Sequence, residues 1–183
     1  MKAIMLAATT AMLVGITPAQ AAVVTMGAGY AQTCYRAAEA RVISRNALNA
    51  CDQALTEEAL VPYDRAGTHV NRGILKLLGR NYDAAIRDFD TALALDPNQP
   101  EAWLNKAIAE MNAGKSAAAL PLVDKAIQLK TSKPHFAYYV RGLAHEDTGN
   151  VRAAYTDLKR AQALAPKWRE PSVELARYQV RAR

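Results

Sequence analysis

Residues 66–99 read AGTHVNRGILKLLGRNYDAAIRDFDTALALDPNQ, and the spacing within this stretch decides the fold. Gly73, Tyr82, Ala85, Phe89, Ala92, Leu95 and Pro97 stand at its positions 8, 17, 20, 24, 27, 30 and 32. Ala85, Phe89 and Ala92 recur at the spacing that places side chains on one face of a helix. The same spacing returns twice downstream, at a period of 34 to 35 residues. From Pro100, Trp103, Ala107, Gly114, Ala119, Val123, Ala126 and Leu129 fall at 4, 8, 15, 20, 24, 27 and 30. From His135, Tyr138, Gly142, Gly149, Ala154, Leu158, Ala161, Leu164 and Pro166 fall at 4, 8, 15, 20, 24, 27, 30 and 32.

A period of this length marks a supersecondary unit that buries its apolar face by stacking on its neighbours. Small residues at 8 and 20 let two helix backbones approach, and large apolar residues at most of positions 4, 24 and 30 fill the space beside them. Gly114 and Gly149 sit where the first helix of a pair should stop, and Pro97 and Pro166 where the second should end. The units are therefore predicted to be helix pairs. Three departures loosen the boundaries: Gly79 comes one residue early, Thr131 stands where proline recurs, and one extra residue precedes the third unit. Pro121 falls inside an expected second helix, where it is tolerated only near the first turn.

The pattern resembles the tetratricopeptide repeat over roughly Ala66 to Trp168. The resemblance implies an all-α fold, a right-handed superhelix of antiparallel helix pairs whose first helices line a concave face. The expected organisation is a leader over residues 1–21, a degenerate capping pair over 22–65, repeats over 66–99, 100–133 and 135–168, and a C-terminal capping helix over 169–183. In the degenerate pair Ala47, Cys51 and Ala54 keep the 20, 24, 27 spacing, which puts Tyr35 at position 8 and Cys34 at position 7. A loop around Val61-Pro62-Tyr63-Asp64 is expected to join this pair to the array, and the final helix to run from Glu170 to Arg183.

Met1 and Lys2 precede an uncharged apolar stretch, Ala3 to Ile16, and Pro18-Ala19-Gln20-Ala21 follows. That is the layout of a secretory signal peptide cut near Ala21; the stretch is shorter than the roughly 20 residues that span a bilayer. The expectation is a periplasmic or secreted protein that does not span a membrane. Export would carry the two cysteines, Cys34 and Cys51, into a compartment where disulfides persist. They fall on opposite helices of one hairpin, so a bridge is geometrically possible; buried free thiols are the alternative. A closed loop of about 17 residues is worth roughly 3 kcal/mol in the chain-entropy model.

The formal net charge of +6 falls to about +5 without Lys2. With acidic residues spread throughout and little aromatic interleaving at the arginine-rich end, no nucleic-acid partner is expected. No cofactor, metal or catalytic residue is expected either. His69, His135 and His145 belong to different units and read as structural, and the acidic residues Asp52, Glu57, Glu58, Asp88 and Asp90 read as solvated helix faces.

If positions 4, 8 and 11 face the hairpin partner, positions 2, 5, 9 and 12 form the inner groove. The expected partner-binding residues are Val70, Ile74, Leu104, Ile108, Met111, Tyr139 and Leu143, with Leu77, Glu101, Phe136 and Glu146 on the same stripe. In one use known in the family, basic residues and asparagine at positions 5 and 9 clamp a terminal carboxylate; here those positions are apolar or aromatic, so that clamp is not predicted. An apolar groove suits an amphipathic helix or an extended apolar peptide of a protein partner. The stripe's alternative use is packing against neighbouring units or the C-terminal helix. Asn71 and Asn105, at position 6, are expected to hydrogen-bond between helices. The functional reading is a non-catalytic adaptor; the alternative is a self-associating homo-oligomer.

Overall fold

The computed structural model describes residues 29–178; the expected leader, residues 1–21, and residues 179–183 lie outside the described residues. Among the described residues there are nine helices: α1 (Tyr30–Glu39), α2 (Arg45–Glu57), α3 (Pro62–Leu78), α4 (Tyr82–Leu95), α5 (Pro100–Asn112), α6 (Ser116–Gln128), α7 (Pro134–Asp147), α8 (Val151–Leu164) and α9 (Glu170–Leu175). Helices α1 to α8 pack as four consecutive pairs, each stacked on the next.

Local chemistry sets the ends. Pro62, Pro100 and Pro134 open α3, α5 and α7, where the missing N–H would have no intrahelical partner and the fixed φ suits the helix. Residues 62–64 are thus the first turn of α3, not the expected loop. Ser44, Asn81 and Asn150 cap α2, α4 and α8 by accepting from the backbone N–H of Ala47, Ala84 and Ala153. The first helix of every pair closes in one way. Val42, Asn81, Lys115 and Asn150 donate their N–H groups back to the carbonyls of Ala37, Lys76, Glu110 and His145. The residue before each is left-handed: Arg41 (φ 55°), Arg80 (61°), Gly114 (78°) and Gly149 (80°). Gly79 is therefore not a displaced terminator: its φ is −78°, and Arg80 carries the left-handed turn.

Pro121 lies in the second turn of α6, farther in than expected, and is exposed within a continuous helix. Helix α9 ends at Leu175, and Ala176 and Arg177 turn away, so the expected final helix is short among the described residues.

The core repeats one size-matched contact. Gly73 faces the fully buried Phe89, and Gly142 faces the fully buried Leu158. In the middle repeat the slot residue is the larger Ala107 and its partner the smaller Val123, both fully buried in one cluster. Summed volume is roughly conserved where helices touch most closely. Counting back from the left-handed residue moves the first pair by one position: Cys34, not Tyr35, occupies the slot, and Tyr35 moves to position 9. The link Ala40–Ser44 is longer than Gly79–Asn81, which slipped the register counted from Ala47. Cys34 and Cys51 are joined in a disulfide, with Cα atoms 4.8 Å apart and both residues fully buried. The bridge replaces the small–large contact of the other pairs.

Charges tie successive pairs together with the same period. Arg72, Lys106 and Arg141, all at position 7, reach Asp52, Asp90 and Asp124 on the second helix of the preceding pair, at 2.6, 2.6 and 2.7 Å. Arg72 and Arg141 also bond Asp88 and Asp157 on their own second helix, at 2.6 and 2.7 Å. In the middle repeat that place is taken by Leu122. Asp88 is only 3% exposed and additionally meets Lys76 at 2.7 Å and His69 at 3.2 Å. The reading of Asp88 as a solvated carboxylate is thus corrected. Burial pushes its carboxyl up, but His69, Arg72 and Lys76 outweigh that and hold it well below the usual carboxylate range.

Candidate functional site

The first helices α1, α3 and α5 line a cavity of about 570 Å³, closed at one side by Lys133 and Phe136 at the start of α7. Its apolar floor is Ile74 and Leu77 on α3, Leu104 and Ile108 on α5, and Phe136. These are positions 9 and 12, 5 and 9, and 2 of their repeats, so only part of the stripe counted from the sequence lines this cavity.

Of the seven expected groove residues the cavity is lined by three: Ile74, Leu104 and Ile108. Leu104 is 3% exposed and forms the bottom of the floor. Val70, 7% exposed, is packed in the core with Phe89 and Leu93. Met111 packs against the α5–α6–α7 core, and neither it nor Leu143 is among the lining residues. Tyr139 is covered by Trp168, whose ring centroid lies 4.8 Å away; the same ring is 5.9 Å from Phe136 and 5.5 Å from His135. Burial, with Glu174 and Glu170 nearby, pushes the Tyr139 phenol up. Glu146, the last member of the stripe on α7, bonds Arg177 at 2.6 Å. The groove is therefore open over α1, α3 and α5, while on α7 the C-terminal segment packs over Tyr139 and Glu146.

The walls carry polar groups that the stripe reading did not include. Asn71, Asn105 and Asn112 line the cavity. The side-chain amide of Asn105 donates to the carbonyl of Glu101 within α5, not between helices as expected, and that of Asn112 donates to the carbonyl of Ile108; each retains one amide hydrogen and the amide oxygen for a ligand. Glu101 accepts from the backbone N–H and hydroxyl of Ser132, at 3.0 and 2.8 Å. Burial raises its carboxyl, but these bonds outweigh it and hold it below the usual range. On α1, Tyr35 donates its hydroxyl to Glu39 at 3.0 Å. Two arginines, Arg41 and Arg80, complete the α1–α3 side. Once Cys34 is placed at position 8, Tyr35 falls on the groove stripe; a sequence count that started from the helix end would have found it.

Repeat models describe this architecture. The tetratricopeptide repeat model matches residues 70–134, and a second tetratricopeptide repeat model matches residues 137–167. The chain belongs to the tetratricopeptide repeat family. Its relatives include Superkiller protein 3 of Schizosaccharomyces pombe, 28% identical over 140 residues, which are 76% of this chain and 10% of that protein. A tetratricopeptide repeat-containing protein of Methanocaldococcus jannaschii is 34% identical over 80 residues, 44% of this chain and 14% of that one. The chain thus spans only a small part of the relatives it matches. Among solved structures, MamA residues 41 to the end from Desulfovibrio magneticus shares the fold with a TM-score of 0.67 at 20% identity, covering 81% of this chain and 82% of that one. The first tetratricopeptide repeat domain of Spaghetti (RPAP3), solved with the HSP90 peptide SRMEEVD, superposes with a TM-score of 0.60 at 26% identity, over 65% of this chain and 94% of that one. Among the described residues no helix of this family member is long and apolar enough to cross a membrane.

Proposed function

We infer that this tetratricopeptide repeat protein is a non-catalytic adaptor that holds a short segment of a partner protein in the groove over α1, α3 and α5. The observation that carries this is the cavity itself: an apolar floor of Ile74, Leu104, Ile108 and Phe136 with asparagine amides of α3 and α5 in its lining. Apolar pockets take a ligand's side chains while the amides pair with its backbone, the division of labour that binds an extended peptide. The Spaghetti domain, similar over 94% of its length, was solved with a bound peptide, which supports a peptide ligand here. The cell envelope or secreted space is the proposed location, supported by the signal-like layout of residues 1–21 and by the disulfide between Cys34 and Cys51.

The test is affinity capture from cell-envelope extract with wild-type protein and with Ile74→Glu/Ile108→Glu. Both positions are part-exposed on the floor and each also packs against the buried core, so the melting point of the variant is measured beside the capture. Loss of a captured protein with the variant, at an unchanged helical circular-dichroism signal, supports the adaptor; equal capture by both removes the groove from the account. A second reading, self-association, is favoured by exposed apolar side chains, Tyr63 on α3 at 70% and Val173 on α9 at 58% exposed. A mass that rises with concentration in sedimentation, abolished by Tyr63→Glu or Val173→Glu, would establish it.

A further inference from the structure

The four equivalent closing positions of α1, α3, α5 and α7 hold Arg41, Arg80, Gly114 and Gly149, all left-handed. Glycine adopts this conformation freely, whereas a residue with a Cβ is strained in it. Strain of this kind persists where the side chain has a use. A cation next to helix carbonyls gains some favourable dipole interaction, and Lys130, the one other left-handed non-glycine residue among those described, follows α6 in the same way. Lys130 is not among the residues lining the groove, whereas Arg41 and Arg80 both are. Neither arginine has a carboxylate within ion-pair distance among the described residues, although Arg72, Arg141 and Arg177 each have two. The acidic side chains that line the same cavity are engaged elsewhere, Glu101 with Ser132 and Glu39 with Tyr35.

We propose that Arg41 and Arg80 form an anion-binding lip of the groove that receives an acidic side chain of an extended partner peptide, whose neighbouring apolar side chains lie on the Ile74–Ile108–Phe136 floor. This inference rests on the adaptor reading and adds the partner's chemistry to it: a segment with aspartate or glutamate beside apolar residues. The lip lies at the C-terminal ends of α1 and α3, on residues other than those at positions 5 and 9. Guanidinium groups suit the role because they offer forked donors to a carboxylate.

The experiment is selection of a displayed library of random dodecapeptides on three disulfide-bonded proteins: wild type, Arg41→Gly/Arg80→Gly, and Ile74→Glu/Ile108→Glu. Glycine at the two closing positions relieves the left-handed strain, so the arginine variant keeps its fold, which a thermal melt checks. The expected result is enrichment of acidic together with apolar residues by wild type, and of apolar residues alone by the arginine variant. A fluorescein-labelled peptide from the wild-type pool should bind the arginine variant about three- to tenfold more weakly, the size expected for losing two exposed ionic contacts. Its wild-type affinity should also fall more steeply with added salt. Apolar enrichment without acidic bias, or the same acidic bias with and without the arginines, overturns the lip and leaves the groove standing. No enrichment by wild type, or equal enrichment by the groove variant, overturns the groove and the lip together.

Discussion

Replacing Gly73 by alanine puts a methyl group where the Phe89 ring already sits. A Cβ at that position stands 2.6 Å from Phe89 Cε1 and 2.9 Å from Cζ, against about 3.5–4.0 Å for an unstrained carbon pair. Phe89 is fully buried, so its ring cannot swing into solvent and α3 or α4 must shift. Overpacking costs about 1–3 kcal/mol, and a contact short by about an ångström belongs at the upper end. Alanine in place of glycine inside a helix returns about 1 kcal/mol, leaving a net loss of roughly 2 kcal/mol. Phe89→Val alone opens a cavity and costs roughly 2–4 kcal/mol. The double variant recreates the Ala107–Val123 pair of the middle repeat and should be more stable than the summed single losses by roughly 1–3 kcal/mol. Urea unfolding of the four proteins, followed by circular dichroism, reads this directly. A neutral Gly73→Ala, or a double variant whose loss equals the sum, would refute the size-matching account of the array.

Three further outcomes follow from the same contacts. Asp88→Asn leaves Arg72 and Lys76 without their buried partner and should cost about 2–4 kcal/mol in unfolding free energy, somewhat below a fully isolated pair because Arg72 keeps Asp52. Because the folded carboxyl titrates below the unfolded one, its stabilisation is complete above the unfolded value of about 4 and is lost as pH falls through the folded value; wild type should weaken between about pH 4 and pH 2 more steeply than Asp88→Asn, and parallel pH profiles would remove the network from the account. Arg80→Gly should raise the unfolding free energy by about 0.5–1 kcal/mol, the left-handed strain less the lost dipole contact, with a fall in the melting point as the contrary result. Replacing Cys34 and Cys51 by serine should cost roughly 3 kcal/mol and release α1 and α2 first, which hydrogen exchange would show as lost protection confined to residues 30–57; uniform protection loss along the array would argue against a local role.

The array was legible because its signal is steric and periodic. A slot at position 8 opposite a filler at position 24 leaves its mark on residue size at a fixed interval, and Gly73, Ala107 and Gly142 carry it without any knowledge of the third dimension. Where a link changes length the count fails, as it did between Arg41 and Ala47. The groove stripe was only partly legible. Helical spacing gives the direction of Val70 and Tyr139 but says nothing of how adjacent first helices splay, nor that Trp168 lies across α7. Asp88 was misread because an acidic residue on an amphipathic helix resembles a solvated one until its cations, 12 and 16 residues away on the facing helix, are seen to converge. The left-handed Arg80 was hidden for a simpler reason: Gly79, one residue earlier, looked like the terminator.

A partner seated in the open groove over α1, α3 and α5 would touch the Ile108 side chain. A photoreactive benzophenone amino acid placed at Ile108, and in parallel at Thr91, which is exposed on α4 and absent from the cavity lining, tests it in intact cells. With a partner in the groove, position 108 gives a covalent adduct to another protein and position 91 gives none of that mass. Adducts of the same mass from both positions, or from position 91 alone, would contradict that placement.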